Sequence, residues 1–163
     1  MTDNKVKDED LEKFAKELQD QIMSQLRQQY SAEVIDRWQN PRNFKRIENP
    51  DGYAQVKGSC GDSMEMFLKI EDDRIIDCGF FTDGCGTTIA CGSIATEVAQ
   101  GKSFVEALAL VSADEILKRL GGLPEEDVHC AQLAVETMRR ALADYLFQKK
   151  QSWKKLYRKV EVE

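Results

Sequence analysis

A single cysteine between two glycines, Gly84-Cys85-Gly86, marks the point where the chain changes from strand-like to helix-like spacing. Upstream, residues 75–81 are apolar and rich in strand-forming side chains. Downstream, apolar residues between 89 and 98 fall near helical intervals. A thiol at a helix start lies near the positive end of the helix dipole, which favours the thiolate that binds metals and attacks sulfur. The alternative is a small cysteine buried in a tight turn, and this segment alone leaves both interpretations open.

The elements predicted around this point indicate an α+β fold. Residues 53–56, 64–70 and 75–82 read as three short strands joined by polar turns, which predicts a small antiparallel sheet. Helical patterns stand before and after this block instead of alternating with the strands, as expected for α+β folds.

Helices are therefore expected on both sides of a three-stranded sheet. Before the sheet, the sequence predicts an amphipathic helix from Leu11 to about Gln29 and a second helix that Ser31 caps and Asn40-Pro41 ends. The first helix either packs on the domain or binds a partner or a second copy. After the sheet, helices are predicted over residues 87–100, 103–110, 112 or 113 to 120, and 129 to about 148 or beyond.

The composition limits the class of protein. A formal net charge of −6 argues against nucleic acid as the main partner. No apolar run approaches the length of a membrane span, and the polar N-terminus has no signal-peptide core, so we expect a cytoplasmic protein. Residues 149–163 are rich in lysine and arginine, and this basic tail either docks an acidic partner or is a solvated helix end.

Three of the five cysteines lie at glycine- or proline-punctuated junctions, namely Cys60, Cys85 and Cys130. Their spacing matches no zinc finger, but loops at one end of a sheet can converge on a shared site. A reducing compartment disfavours disulfides, which leaves metal or sulfur chemistry as the expected use of these thiols. Cys78 lies within a predicted strand and Cys91 on the helix face away from Cys85, and we expect both to be structural.

Two polar residues complete a candidate metal-binding set. Asp62 follows Cys60 by two positions, and His129, the only histidine, directly precedes Cys130. Three thiolates with a carboxylate or an imidazole suit zinc, and they also suit an iron–sulfur cluster with one non-thiolate ligand. Adjacent side chains at a helix start point about 100° apart, so His129 and Cys130 need not bind together and can exchange as ligands.

These motifs resemble the iron–sulfur cluster assembly scaffold proteins of the IscU type and the N-terminal domain of NifU. The resemblance covers about residues 30–148, which leaves residues 1–29 as an N-terminal helical extension and 149–163 as a basic C-terminal tail. The matching segments occur in family order: Tyr30-Ser31, Val34-Ile35-Asp36, Asn40-Pro41-Arg42-Asn43, Cys60-Gly61-Asp62, Gly84–Ala90, Thr96-Glu97, Gly101-Lys102-Ser103, Leu123-Pro124 and His129-Cys130.

The resemblance implies a scaffold without turnover of its own that builds a labile [2Fe–2S] cluster and passes it to acceptor apoproteins. Cys60, Cys85 and Cys130 would bind the cluster, with Asp62 or His129 as the fourth ligand. By the same resemblance, the cluster would be built from Fe²⁺, and the cluster-free form could hold Zn²⁺. An oxygen ligand matches a thiolate site poorly, so Asp62 is expected to keep the cluster labile.

The resemblance also implies partners. A cysteine desulfurase would supply sulfur as a persulfide, for which Cys130 is the favoured acceptor, and donors of iron and electrons would act beside it. The glycines next to Cys85 would leave space for the cluster and for the incoming persulfide. Membrane binding is not implied, and both a monomer and a homodimer are compatible with the resemblance.

The chain departs from the IscU pattern just before His129. Residues 123–127 read Leu-Pro-Glu-Glu-Asp, where the IscU type carries the chaperone-recognition motif Leu-Pro-Pro-Val-Lys. This difference argues against recognition by a dedicated heat-shock-type chaperone. The alternatives to a scaffold are a zinc-dependent sulfurtransferase that relays persulfide, against which His129 argues, and a structural zinc domain.

Overall fold

The structure is a computed structural model that describes the backbone of residues 3–160 and the side chains of residues 8–152. In this part of the chain, the strands β1 (Gly52–Lys57), β2 (Ser63–Glu71) and β3 (Arg74–Thr82) form one antiparallel sheet in the order β1-β2-β3. The α-helices are α1 (Asp3–Gln29), α2 (Ala32–Gln39), α3 (Gly86–Ala99), α4 (Phe104–Leu110), α5 (Ala113–Leu120) and α6 (Val128–Val160), and a 3₁₀ turn at Glu125–Asp127 precedes α6. The predicted α+β class is confirmed.

The register of the sheet places two connections at the same edge. Lys57 pairs with Ser63 at the end of the β1–β2 hairpin, and Met64 pairs with Thr82 at the end of β3. The β1–β2 turn, residues 58–62, therefore lies beside the segment that leads from β3 into α3. This register brings the turn that carries Cys60 and Asp62 close to Cys85.

The helix starts follow local capping signals. The hydroxyl of Ser31 accepts a hydrogen bond from the Val34 N–H at 3.1 Å, and Ser103 forms a capping box with Glu106. Ser112 caps α5, which ends at Gly121 with a φ of 73°. The predicted starts of α2, α4 and α5 are confirmed because each depends on side chains within one turn.

Helix α3 packs on β3 and against α2 and α6, while α6 packs on β1 and β2. Gly92 allows the ring of Phe80 to contact the helix, since a Cβ at this position would lie 2.5 Å from the ring. Cys78 and Cys91 are both fully buried among apolar side chains, so they are core residues.

Helix α1 has an apolar stripe that is largely exposed. Leu11 and Phe14 are 69% and 64% exposed, and Leu18 and Ile22 are also exposed. No helix among the described residues is both long and apolar enough to cross a bilayer. The predicted basic tail begins within α6, whose backbone continues to Val160, but the side chains of residues 153–163 lie outside the described residues.

Candidate metal-binding site

Three separate segments of the chain meet at the first turn of α3. Asp62 comes from the β1–β2 turn, Cys85 is the residue that precedes α3, and Cys130 lies in the first turn of α6. Two hydroxyl side chains, those of Thr87 and Thr88, lie between them. The structure therefore brings together the candidate residues that the sequence placed at different junctions, with the exception of Cys60.

The two threonine hydroxyls join the two sulfur atoms. Thr87 Oγ1 lies 2.9 Å from Cys85 Sγ and 3.5 Å from Cys130 Sγ. Thr88 Oγ1 lies 3.5 Å from Cys85 Sγ and 3.4 Å from Cys130 Sγ. Both threonines and Cys130 are buried, whereas Cys85 is exposed, so solvent reaches only one of the two thiols. The sequence pattern assigned no role to either threonine, although both follow Gly84-Cys85-Gly86 directly.

Asp62 is held against the start of α3 by two hydrogen bonds to one oxygen atom. Its Oδ2 accepts from the Thr88 hydroxyl at 2.9 Å and from the Cys85 N–H at 3.3 Å. Cys85 makes no side-chain cap of its own, so the carboxylate of Asp62 caps α3 from a distant part of the sequence. A Cβ at Gly84 would lie 2.5 Å from Asp62 Oδ2.

The glycines beside Cys85 make room for protein side chains where a Cβ would lie, and both also line the cavity beside Cys85, so the expected space for a cluster stays a prediction. Gly84 faces the carboxylate of Asp62, and Gly86 faces the indole ring of Trp38. A Cβ at either position would collide with these groups. No local sequence signal could have shown this, because Asp62 and Trp38 are distant along the chain.

His129 lies close to its neighbour Cys130. Its Nε2 atom is 3.7 Å from Cys130 Sγ. Nitrogen and sulfur ligands on one tetrahedral Zn²⁺ are expected about 3.5 Å apart, from the usual metal–ligand distances. The geometry thus allows His129 and Cys130 to bind one ion together. The helical spacing alone had suggested that the two residues need not bind together and can exchange as ligands.

Cys60 stands apart from this group. It is exposed at the tip of the β1–β2 turn, where Gly61 has a φ of 94°, and its sulfur makes no hydrogen bond to any residue that the structure describes. The Gly58 N–H donates to the Asp62 carbonyl at 2.8 Å and closes the turn. Within the described residues, no three histidine, cysteine, aspartate or glutamate side chains already form a set that could hold a metal ion. This holds for Asp62, Cys85, Cys130 and His129 as well as for Cys60, so the predicted ligands must rearrange before they bind one ion.

The two thiols at α3 differ in acidity. Partial burial raises the pKa of Cys85, but hydrogen bonds from the side chains and backbone of Thr87 and Thr88 outweigh it and lower the pKa overall. Burial raises the pKa of Cys130, and the same two hydroxyls offset only part of this effect. Cys130 is only 1% exposed. Cys85 is therefore the more acidic and the more accessible of the two.

A cavity of about 520 Å³ opens beside Cys85. Its walls include Leu26, Trp38 and Tyr30, whose hydroxyl donates to Asp127 Oδ2 at 2.9 Å. Burial and this hydrogen bond raise the pKa of Tyr30 to about 12, so its hydroxyl remains protonated at neutral pH. The cavity gives a reactant access to Cys85, and it was not predicted because α1, α2 and the 3₁₀ turn contribute to its walls.

Comparison with known proteins assigns the family. The model of the family described as NifU-like N terminal domain matches residues 29–152. The chain belongs to this family. The predicted resemblance to the IscU and NifU scaffold family is thus confirmed, and α1 precedes the matched segment of this NifU-like chain.

Named relatives of this NifU-like chain agree with the family. The iron–sulfur cluster assembly scaffold protein IscU 1 of Archaeoglobus fulgidus is 46% identical over 117 residues, covering 71% of this chain and 76% of that protein. The IscU scaffold protein of Escherichia coli K12 is 42% identical over 121 residues, covering 71% of this chain and 93% of that protein. The crystal structure of a putative scaffold protein for the SUF system from Fervidobacterium islandicum AW-1 aligns with a TM-score of 0.58 at 26% identity, over 69% of this chain and 96% of that one.

Proposed function

We propose that this chain is a scaffold, without enzymatic turnover, on which a labile [2Fe–2S] cluster is assembled and from which it passes to acceptor apoproteins. The observation that carries the proposal is the meeting of Asp62, Cys85 and Cys130 at the start of α3 in a NifU-like chain. Cys60 joins these ligands from the exposed turn, and Asp62 or His129 completes the set. Relatives that share over two fifths of the aligned residues are named as scaffolds of this kind.

The sulfur of the cluster comes from a persulfide that a cysteine desulfurase carries. A thiolate of the scaffold attacks the terminal sulfur, a new S–S bond forms, the old S–S bond breaks, and the donor cysteine leaves as a thiolate. Each transferred sulfur must then gain two electrons to become sulfide, so an electron donor acts beside the iron donor. The sulfur of Cys130 is buried in the described structure. Cys130 therefore accepts the persulfide sulfur only when the first turn of α6 opens.

A second candidate is a zinc-dependent sulfurtransferase that relays persulfide. The observation in its favour is the exposed Cys85, whose pKa is lowered by hydrogen bonds from Thr87 and Thr88 despite the opposing effect of burial. A low-pKa, accessible thiol is suited to sulfur exchange.

Anaerobic reconstitution separates these two functions. The protein is incubated with Fe²⁺, a persulfide-loaded cysteine desulfurase and a reductant, and visible absorption and acid-labile sulfide are followed. A scaffold develops the charge-transfer bands of a [2Fe–2S] cluster and then transfers the cluster to an apo-ferredoxin. A chain that keeps zinc, develops no such bands and still passes persulfide sulfur onward is a sulfurtransferase, and the scaffold proposal is then wrong.

A further inference from the structure

The carboxylate of Asp62 is held in place by contacts with the start of α3. Its Oδ2 accepts hydrogen bonds from the Cys85 N–H and the Thr88 hydroxyl, and Gly84 leaves room for it. Its other oxygen, Oδ1, makes no hydrogen bond to any residue that the structure describes. The carboxylate is therefore fixed through one oxygen while the second oxygen remains available.

The hydroxyl of Thr88 is the central contact in this arrangement. It has a single proton, which lies within reach of three acceptors, Asp62 Oδ2 at 2.9 Å, Cys130 Sγ at 3.4 Å and Cys85 Sγ at 3.5 Å. The contact with Asp62 is the shortest of the three and its acceptor is a carboxylate, so Asp62 is the main acceptor of this proton and the two sulfur atoms are weaker ones. Thr88 is fully buried, and water cannot replace its hydroxyl.

We propose that Thr88 is a positioning residue, which fixes the carboxylate of Asp62 so that Oδ1 faces the thiolates as a metal ligand. Groups that orient a metal ligand in this way commonly change metal affinity by about 10- to 100-fold. The inference rests on the proposed function where it concerns the cluster, but the orientation of Asp62 can be tested with a single metal ion.

The first experiment uses Co²⁺ alone, added to the metal-free full chain and followed by its thiolate charge-transfer absorption. Thr88→Val keeps the side-chain shape and removes the hydroxyl, and we expect Co²⁺ affinity to fall about tenfold. Thr88→Ser restores the hydroxyl and most of the affinity. In an Asp62→Ala background, Thr88→Val has no further effect, because the group that it positions is gone.

Thr137→Val is a matched control for this substitution. Thr137 is fully buried like Thr88, but its hydroxyl donates to the backbone carbonyl of Leu133 in α6 at 2.7 Å. We expect its Co²⁺ affinity to equal that of the wild type. The proposal is wrong if Thr88→Val binds Co²⁺ as the wild type does, or if it loses the same factor with and without Asp62. Thr88→Ala is measured by the same criteria if the circular dichroism of Thr88→Val shows a folding defect.

The second experiment follows cluster loss from reconstituted protein to a chelator. Asp62→Ala is expected to slow cluster loss, because His129 then replaces an oxygen ligand that matches the thiolate site poorly. Thr88→Val is expected to slow it in the same direction by a smaller factor. If the wild type forms no cluster, the proposed function fails while the Co²⁺ result still decides the role of Thr88. If the cluster forms and Thr88→Val releases it at the wild-type rate, the role of Thr88 in lability is excluded and the scaffold function stands.

Discussion

The β1–β2 turn and the first turn of α3 carry the same kind of side chain in opposite settings. Cys60 is exposed and its sulfur has no hydrogen-bond partner among the described residues. Cys85 is also exposed, but the hydroxyls of Thr87 and Thr88 hold its sulfur and connect it to the buried Cys130. The sulfur of Cys60 is therefore not held by other described residues, whereas two threonine hydroxyls hold the sulfur atoms of Cys85 and Cys130.

The β1–β2 turn carries Cys60, whose sulfur is not held by other described residues, and Asp62, which is hydrogen-bonded to α3. Asp62 is fixed to α3 through the Thr88 hydroxyl, whereas Cys60, two positions earlier, extends beyond that attachment. A scaffold must both hold its cargo and release it, and an exposed thiol two residues from a held carboxylate suits both needs.

The largest expected difference between the two settings is in thiol reactivity. In metal-free protein, we expect iodoacetamide to modify Cys60 on the order of 100-fold faster than Cys130, since the buried thiol must wait for a local opening that costs roughly 3 kcal/mol. Burial also raises the pKa of Cys130, which acts in the same direction. Mass spectrometry of the modified peptides over time measures both rates.

Two controls accompany this labelling experiment. Cys78, which is fully buried within β3, should react even more slowly, and in urea all the cysteines should react at similar rates. Equal rates for Cys60 and Cys130 in the native protein would show that the first turn of α6 opens freely. The distinction between free and held ligands would then be incorrect, and Cys130 would be directly accessible to a persulfide donor.

A smaller effect is expected from crowding the contact between the turn and the helix. In Gly84→Ala, the new Cβ would lie 2.5 Å from Asp62 Oδ2 and 2.9 Å from the Cβ of Thr88. We expect the free energy of unfolding in urea to fall by about 1–3 kcal/mol, as for other overpacked sites. Ser59→Ala, in the exposed part of the turn, should change it by less than about 0.5 kcal/mol. A Gly84→Ala protein as stable as the wild type would mean that Asp62 does not dock on α3.

Local signals in the sequence were sufficient for most of the fold. Ser31, Ser103 and Ser112 start their helices through contacts within one turn, and strand alternation is equally local. The isolated bridge that pairs Phe44 with Phe80 was not predicted. It joins segments that are far apart in the sequence through backbone hydrogen bonds, with the two rings in contact, and periodicity does not detect such a pairing.

The residues of the candidate site could be named from the sequence, but the contacts that hold them together could not. Asp62, Cys85 and Cys130 could be named because cysteine and aspartate are chemically conspicuous at loop ends. Thr87 and Thr88 could not, since a buried threonine is common and its role depends on the distance to Cys130 in another helix. These three ligands are brought together as expected, whereas coordination by any of the five candidates remains a prediction.

The smallest expected effect concerns the acidity of the held thiol. Thr87→Val removes the hydroxyl that lies 2.9 Å from Cys85 Sγ and helps to lower the pKa of that thiol. The pKa then rises and the thiolate fraction at pH 7 falls. We expect iodoacetamide to modify Cys85 about two- to threefold more slowly at this pH, a modest factor because one hydrogen bond contributes about 1 kcal/mol and solvent screens this partly exposed group.

The pH dependence separates ionisation from access in this variant. Well above pH 9, Cys85 is ionised in both proteins, so their labelling rates should converge. Cys60 in the same sample is an internal reference, and Thr137→Val is the control for loss of a buried hydroxyl elsewhere. An equal slowing of Cys85 at every pH would show that Thr87 controls access to the sulfur and not its charge. In that case, the Thr87 hydroxyl would not lower the pKa of Cys85. The reactivity of Cys85 would then offer no support for a sulfur relay.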